Sequence, residues 1–279
     1  MSSDQFGTPS SPGAIDPDSV FRELVTPLRV PATAQEQALL DSGARSHVVY
    51  SGNRLAVWHW GGKGPRVLLV HGWNSRASHL GGFVQALVAA GYQVVAFDAP
   101  GHGESEGGRS NVVDLGRAVL KVAEAVGPVD AAIGHSMGSP ALLYAFAHGL
   151  SVSASVHIAG PSSLQGALLR AAATVGLSDE QADRLLALME EETGDPMVAM
   201  ELFRLAEGFR HPALIVHDRD DREVPFEESR LLQAAWPDST FHEMSGLGHR
   251  RILNDATVVG LGVSLLNQHL SVGPADGVV

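Results

Sequence analysis

No cysteine occurs in the 279 residues, which rules out disulfides, thiolate metal sites and a cysteine nucleophile. The same absence leaves the redox compartment open. Basic residues are also scarce: 19 Lys and Arg against 31 Asp and Glu give a formal charge of −12. That balance argues against binding a phosphate backbone, so no nucleic acid is expected as a partner. No apolar run approaches the ~18 residues of a membrane span. Residues 1–20 lack a basic n-region and an apolar h-region and are largely Ser, Pro, Asp and Gly. They predict a disordered N-terminal tail rather than a secretory signal, and a soluble cytoplasmic protein is the resulting expectation. Apolar residues, by contrast, make up 44% of the chain against 18% charged. That is enough for a sizeable core in one large α/β domain or a domain with an insertion.

The chain is organised around Ala131–Ala147, where an apolar run ends in Gly134-His135-Ser136-Met137-Gly138 and passes straight into Ser139-Pro140-Ala141-Leu142-Leu143. A buried strand, a very tight turn and a buried helix follow from that pattern. G-x-S-x-G in this setting is a nucleophile elbow, which holds the serine hydroxyl out on a strained strand-to-helix turn. Met137 opens the helix, so its backbone N–H points toward negative charge developing beside Ser136.

Earlier in the chain, residues 21–44 form a lead-in with a helix over Ala34–Leu40. His47–Tyr50 and Arg54–Trp60 alternate around Ser51-Gly52-Asn53 as a hairpin. Val67–Val70, Val94–Asp98, Ala154–Ala159, Ala213–His217 and Thr240–Met244 read as further strands. Leu80–Ala90, Asn111–Val126 and Ala256–Leu270 read as helices. This alternation predicts a mostly parallel sheet covered on both faces, with the hairpin as its antiparallel edge. The core spans 21–160 and 211–279. Residues 161–210 form an insertion too long for a simple crossover. In it, Ser178-Asp179-Glu180-Gln181 is a capping box opening Asp179–Glu192, Asp195-Pro196 caps a helix over Met197–Glu207, and Leu164–Val175 is a third helix. Their apolar faces are expected over the mouth of the cleft, as a lid that shapes an apolar pocket.

A serine needs a base within hydrogen-bond reach. His249 leads, because it sits in a Gly-rich loop after the last strand, whereas His148, His157, His217, His242 and His269 lie in or beside regular elements. The base needs an orienting carboxylate, and Asp218–Asp221 follows a strand. The turn fixed by Val224-Pro225 favours Asp221, with Asp220 as its competitor. The cluster fails the EF-hand pattern, and neither a metal nor a cofactor is expected. Asp98 is read as fixing its loop, and Arg250 and Arg251 either as meeting a substrate carboxylate or as surface charges.

Taken in order, five stretches resemble those of α/β-hydrolase-fold serine hydrolases over about residues 45–270: His71-Gly72-Trp73, Asp98–Ser105, Gly134–Gly138, Asp221–Pro225 and Gly248-His249. The resemblance implies an oxyanion hole built from the backbone N–H groups of Trp73 and Met137. In that family the acid can instead follow the preceding strand, but Gly160-Pro161-Ser162-Ser163 offers no carboxylate there. Ser136 excludes the dehalogenase and epoxide-hydrolase branches, which place Asp at the elbow. The expectation is a carboxylic ester hydrolase acting on a small-molecule ester through Ser136, His249 and Asp221. Thioesterase, lactonase, C–C bond hydrolase and acyltransferase share that machinery, and a non-catalytic ligand receptor on the same fold is the alternative from another class. Oligomeric state is not readable.

Overall fold

Eight strands form one sheet in the computed structural model, which describes residues 15–272. The strands are β1 (Ala44–Tyr50), β2 (Asn53–Trp60), β3 (Arg66–Val70), β4 (Gln93–Phe97), β5 (Ala131–His135), β6 (Ala154–Ile158), β7 (Ala213–Asp218) and β8 (Ser239–Met244). Their spatial order is β1-β2-β4-β3-β5-β6-β7-β8. The β1–β2 and β2–β4 pairings are antiparallel, and every pairing from β4 through β3 to β8 is parallel.

The continuous apolar runs of the central strands follow from burial on both faces. In β3, Val67 and Leu69 enter one hydrophobic cluster while Leu68 and Val70 enter the other. Helices α1 (Pro17–Leu24), α2 (Ala34–Asp41), α3 (Gly81–Ala89), α4 (Val112–Val126), α5 (Gly138–Ala147), α6 (Leu164–Val175), α7 (Asp179–Thr193), α8 (Leu202–Leu205), α9 (Phe226–Ala235), α10 (Gly248–Arg251) and α11 (Ala256–His269) cover them. The two faces have different helices. Residues of α1, α4, α5 and the insertion belong to one cluster, and those of α2, α3 and α11 to the other.

Three expectations need correction. The tail expected over residues 1–20 falls partly outside the described residues, but α1 begins inside it. Asp16 caps α1 by accepting from Asp18 and Ser19 N–H, with Pro17 as the first helical residue. The single helix expected over Met197–Glu207 is broken into a 3-10 turn (Met197–Met200), the four-residue α8 and a second 3-10 turn (Ala206–Gly208). Asp195 is not its cap, because that carboxylate pairs with Arg117 at 3.2 Å. The break at Glu201 lets its carboxylate accept from Ser163 Oγ at 2.8 Å and lets Phe203 N–H bond Ser162 O at 3.1 Å. Helix α9, between β7 and β8, was not anticipated.

Candidate active site

The elbow forms because β5 and α5 leave only two residues between them. Ser136 takes φ 51°, left-handed backbone that costs a non-glycine residue about 1–3 kcal/mol. Its N–H is tied to Ile158 O at 2.9 Å, on the neighbouring strand. Gly138 lies against the Val70 carbonyl so closely that a Cβ there would collide with backbone. Strain at one residue is thus held by packing from three strands.

The Ser136 hydroxyl is 2.9 Å from His249 Nε2, and His249 Nδ1 is 2.7 Å from Asp221 Oδ2. The carboxylate is fully buried and the imidazole nearly so. Asp221 Oδ1 accepts the Glu223 and Val224 N–H groups at 2.8 and 3.0 Å, as the turn before Pro225 requires. Burial works to raise the Asp221 pKa. Hydrogen bonds from His217 and His249 and from the Val224 amide outweigh it, so the carboxyl is held well below the usual carboxylate range.

The two nearby aspartates do a different job. Asp220 Oδ2 accepts Gly246 N–H at 2.8 Å, and buried Asp218 accepts Leu247 N–H at 2.8 Å. Both hold the loop that carries His249, so Asp220 is drawn away from the imidazole.

One residue escaped the sequence reading, which set His217 aside as a core histidine. It is fully buried at the end of β7, with Nε2 3.2 Å from Asp221 Oδ2 and 3.1 Å from Val224 O. Both neighbours only accept, so Nε2 carries the proton, and Nδ1 takes the Ser229 hydroxyl at 2.7 Å. Asp221 therefore receives an imidazole N–H from each side. The signal was a histidine at the end of β7, four residues before Asp221 in the turn that follows.

Met137 follows Ser136 in the chain, and Trp73 lines the same cavity as Ser136. A Cβ on Gly72 would stand 2.6 Å from Ser136 Cβ, so the loop after β3 runs directly against Ser136. His71 fixes that loop. Its Nδ1–H donates to Gly72 O at 2.7 Å, and its Nε2 accepts Ala99 N–H at 2.9 Å. Burial pushes its pKa well below the ordinary histidine value, which suits this neutral role. Asp98 likewise accepts Ala77 and Glu104 N–H groups at 2.7 Å, so it fixes its loop. Among the described residues, no group of three His, Asp or Glu side chains is arranged to hold a metal ion, and no helix is long and apolar enough to cross a membrane.

A cavity of about 650 Å³ opens beside Ser136 and His249. Its far wall comes from the lead-in (Thr33, Gln35, Glu36 and Leu39) and from Ser75 to Gln85; no described side chain of the insertion 161–210 lines it. The apolar side chains expected over the cleft go elsewhere. Leu185, Leu188 and Met189 of α7 are buried in the cluster that holds Phe21 and Val25, and Leu202 lies in the same cluster as Ala141 to Phe146 of α5. These apolar faces complete the helical layer on the face of the sheet that carries α1, α4 and α5.

The match to known proteins agrees with this architecture. A family model described as the alpha/beta hydrolase family matches residues 67–261, and the chain belongs to that family. Compared by sequence with proteins of curated function, it has no significant match. Among solved structures it is similar to the esterase Pf2001 of Pyrococcus furiosus: 18% identity, TM-score 0.68, 88% of this chain and 99% of that one. It is similar to the esterase RhEst1 from Rhodococcus sp. ECU1013 at 20% identity and TM-score 0.62, covering 82% and 99%. A thioesterase domain from the curacin biosynthetic pathway aligns at 17% identity and TM-score 0.59, covering 80% and 99%. The chain is an α/β-hydrolase enzyme acting on a small-molecule substrate.

Proposed function

We propose that this hydrolase cleaves carboxylic esters through an acyl-enzyme formed on Ser136. The observation that carries the reading is the unbroken hydrogen-bond chain from Ser136 Oγ through His249 to Asp221. Ser136 Oγ attacks the ester carbon as its proton passes to His249 Nε2, and the carbonyl oxygen becomes an oxyanion held by the Trp73 and Met137 N–H groups. Collapse expels the alcohol, which takes the proton from His249. Water then attacks the acyl carbon, gives its proton to the same nitrogen, and the acid leaves as Ser136 recovers its hydrogen. Asp221 stays ionised throughout, consistent with its depressed pKa, and fixes the imidazole tautomer that accepts from serine.

A fluorophosphonate probe with peptide mapping, run beside p-nitrophenyl esters and their thioester and lactone counterparts, tests this. Labelling at Ser136 with ester turnover ahead of the other two classes is expected. Labelling elsewhere, or tight binding of every compound with no turnover, would remove the proposal and favour a receptor.

A further inference from the structure

The wall of the cavity facing Ser136 is polar in a way that the triad does not use. Leu39, Trp73 and Leu253 are its larger apolar side chains. Among them, α2 and the 3-10 turn before α3 bring Glu36 and His79 together, with Glu36 Oε1 3.3 Å from His79 Nε2. His79 Nδ1 is 2.8 Å from Ser75 Oγ. Burial holds His79 below its ordinary pKa, against the pull of Glu36. The ring bonds the Ser75 hydroxyl and stands beside Glu36 without a hydrogen bond to it. Glu36 Oε2 accepts Thr33 N–H at 2.7 Å as part of the α2 capping box. Oε2 thus has one donor, and Oε1 faces His79 with no hydrogen-bond donor among the described residues. Both side chains remain 22% exposed, and the exposed amides of Gln85 and Asn254 stand on the same wall. Ser78, nearly buried on this wall, has a hydroxyl with no partner among the described residues. The cation among the described residues that line the cavity, Arg250, is already committed to Glu223 through two hydrogen bonds of 3.0 and 3.1 Å.

This wall offers acceptors that lack donors, and no free positive charge. A long alkyl chain seated here would strip water from Glu36 and His79 and return nothing. An anionic group would meet Glu36 without compensation. We infer that the cavity receives an uncharged, hydroxyl-bearing part of the ester, bound by Glu36 beside His79, in place of an unbranched fatty chain. This inference rests on the serine-hydrolase reading. A hydroxylated acyl group and a polyol leaving group present the same chemistry, and two substrate pairs distinguish them.

The test measures kcat/KM of the full chain on p-nitrophenyl 3-hydroxybutyrate against its methyl isostere p-nitrophenyl 3-methylbutyrate, and on 2,3-dihydroxypropyl acetate against 2-methylbutyl acetate. The hydroxylated member should lead by about tenfold in one pair, as expected for a hydrogen bond to a charged group. Glu36→Gln keeps the capping box, since glutamine serves at that position, and should bring the ratio close to one. A lead for the methyl isosteres in both pairs, or an unchanged ratio in E36Q, overturns the inference. Fluorophosphonate labelling separates the levels. Ser136 labelled with esters turned over and no hydroxyl preference sinks the subsite alone, whereas no labelling and no turnover sinks the hydrolase reading and the subsite together.

Discussion

Two helical segments lie outside the alternating core, and they meet opposite fates. The insertion, residues 161–210, carries well-capped helices with broad apolar faces, and none of its described side chains lines the cavity beside Ser136. The lead-in, residues 25–41, carries one short helix with a single buried side chain, Leu40, and lines the cavity with four residues. The difference is physical. A strongly apolar face finds its lowest free energy where it can be sealed completely. Here that place is the helical layer, where α7 packs on α1 and α6, and α8 on α5 and α9. Ion pairs fix it there: Arg117 to Asp195, Arg109 to Glu192 and Arg170 to buried Glu228. A polar segment gains little from burial, so it is free to edge a cleft, where hydrogen bonds through the side chains of Arg29, Asn74 and Arg76 position it. In this chain polarity marks the cavity wall proposed to meet substrate, and apolarity marks the scaffold.

That contrast is sharpest if neither segment supplies chemistry. Ser136→Ala should then lower ester turnover about 10⁶-fold with both segments intact and the fold unchanged, as read by steady-state rates and circular dichroism. Residual turnover near wild type would move the reaction out of the elbow. Next in size, Asp221→Asn should reduce turnover roughly 10⁴-fold by favouring the wrong His249 tautomer. Asp220→Asn should cost far less, because it releases only the Gly246 amide. Reversed effects would reassign the acid by one residue.

Much of the site was legible because it is locally encoded. The elbow needs small residues beside a serine in left-handed backbone, and the acid turn needs Val224-Pro225; both are sequence-adjacent. What was not legible depends on distant partners. Asp-Pro occurs twice, at Asp16-Pro17 and Asp195-Pro196, and only the first caps a helix. The second lost its carboxylate to Arg117, which no local rule foretells. His217 looked like a core residue because its role is set by what faces it from the turn. The apolar faces of the insertion announced burial without naming their partner.

A direct strike at the scaffold side comes from Leu185, which is fully buried under α7. Leu185→Ala should cost about 2–5 kcal/mol of stability through the lost contacts and the cavity left behind. KM for a small ester should not move. A shifted KM without lost stability would return the insertion to the cleft.

Acid should test the shared core rather than either segment. Burial pushes His135 and His157 down to about 3 and His102 down to about 4. Their folded pKa values lie below the unfolded ~6.5, so the unfolded chain binds more protons between those limits and stability falls as pH drops through that window. From pH 7 to pH 5, His135 and His157 should each remove about 2 kcal/mol. Asp98, pushed up to about 6 by burial, acts the other way with a smaller gain. A thermal midpoint that rises on acidification to pH 5 would contradict this sum.

The smallest effect addresses the lead-in. Arg29 is its anchor, with guanidinium hydrogen bonds to the carbonyls of Gly103 at 2.9 Å, Ser105 at 2.6 Å and Gly107 at 2.9 Å. Leu28 N–H reaches Asn74 Oδ1 at 2.7 Å, just beyond Trp73. Arg76 Nη1 donates to Val30 O at 3.3 Å. Arg29→Ala should remove about 1 kcal/mol, because half-exposed hydrogen bonds are worth little net. For a chain of this size that lowers the thermal midpoint by roughly 2–4 °C. The informative readout is kinetic. If α2 forms the substrate wall, loosening its anchor should raise KM several-fold and weaken discrimination between hydroxylated and methyl esters. The rate with p-nitrophenyl acetate, which scarcely reaches that wall, should fall less. Leu185→Ala should show the opposite pattern, with a large loss of stability and no loss of discrimination. Equal kinetic behaviour in the two variants would erase the division between substrate wall and scaffold.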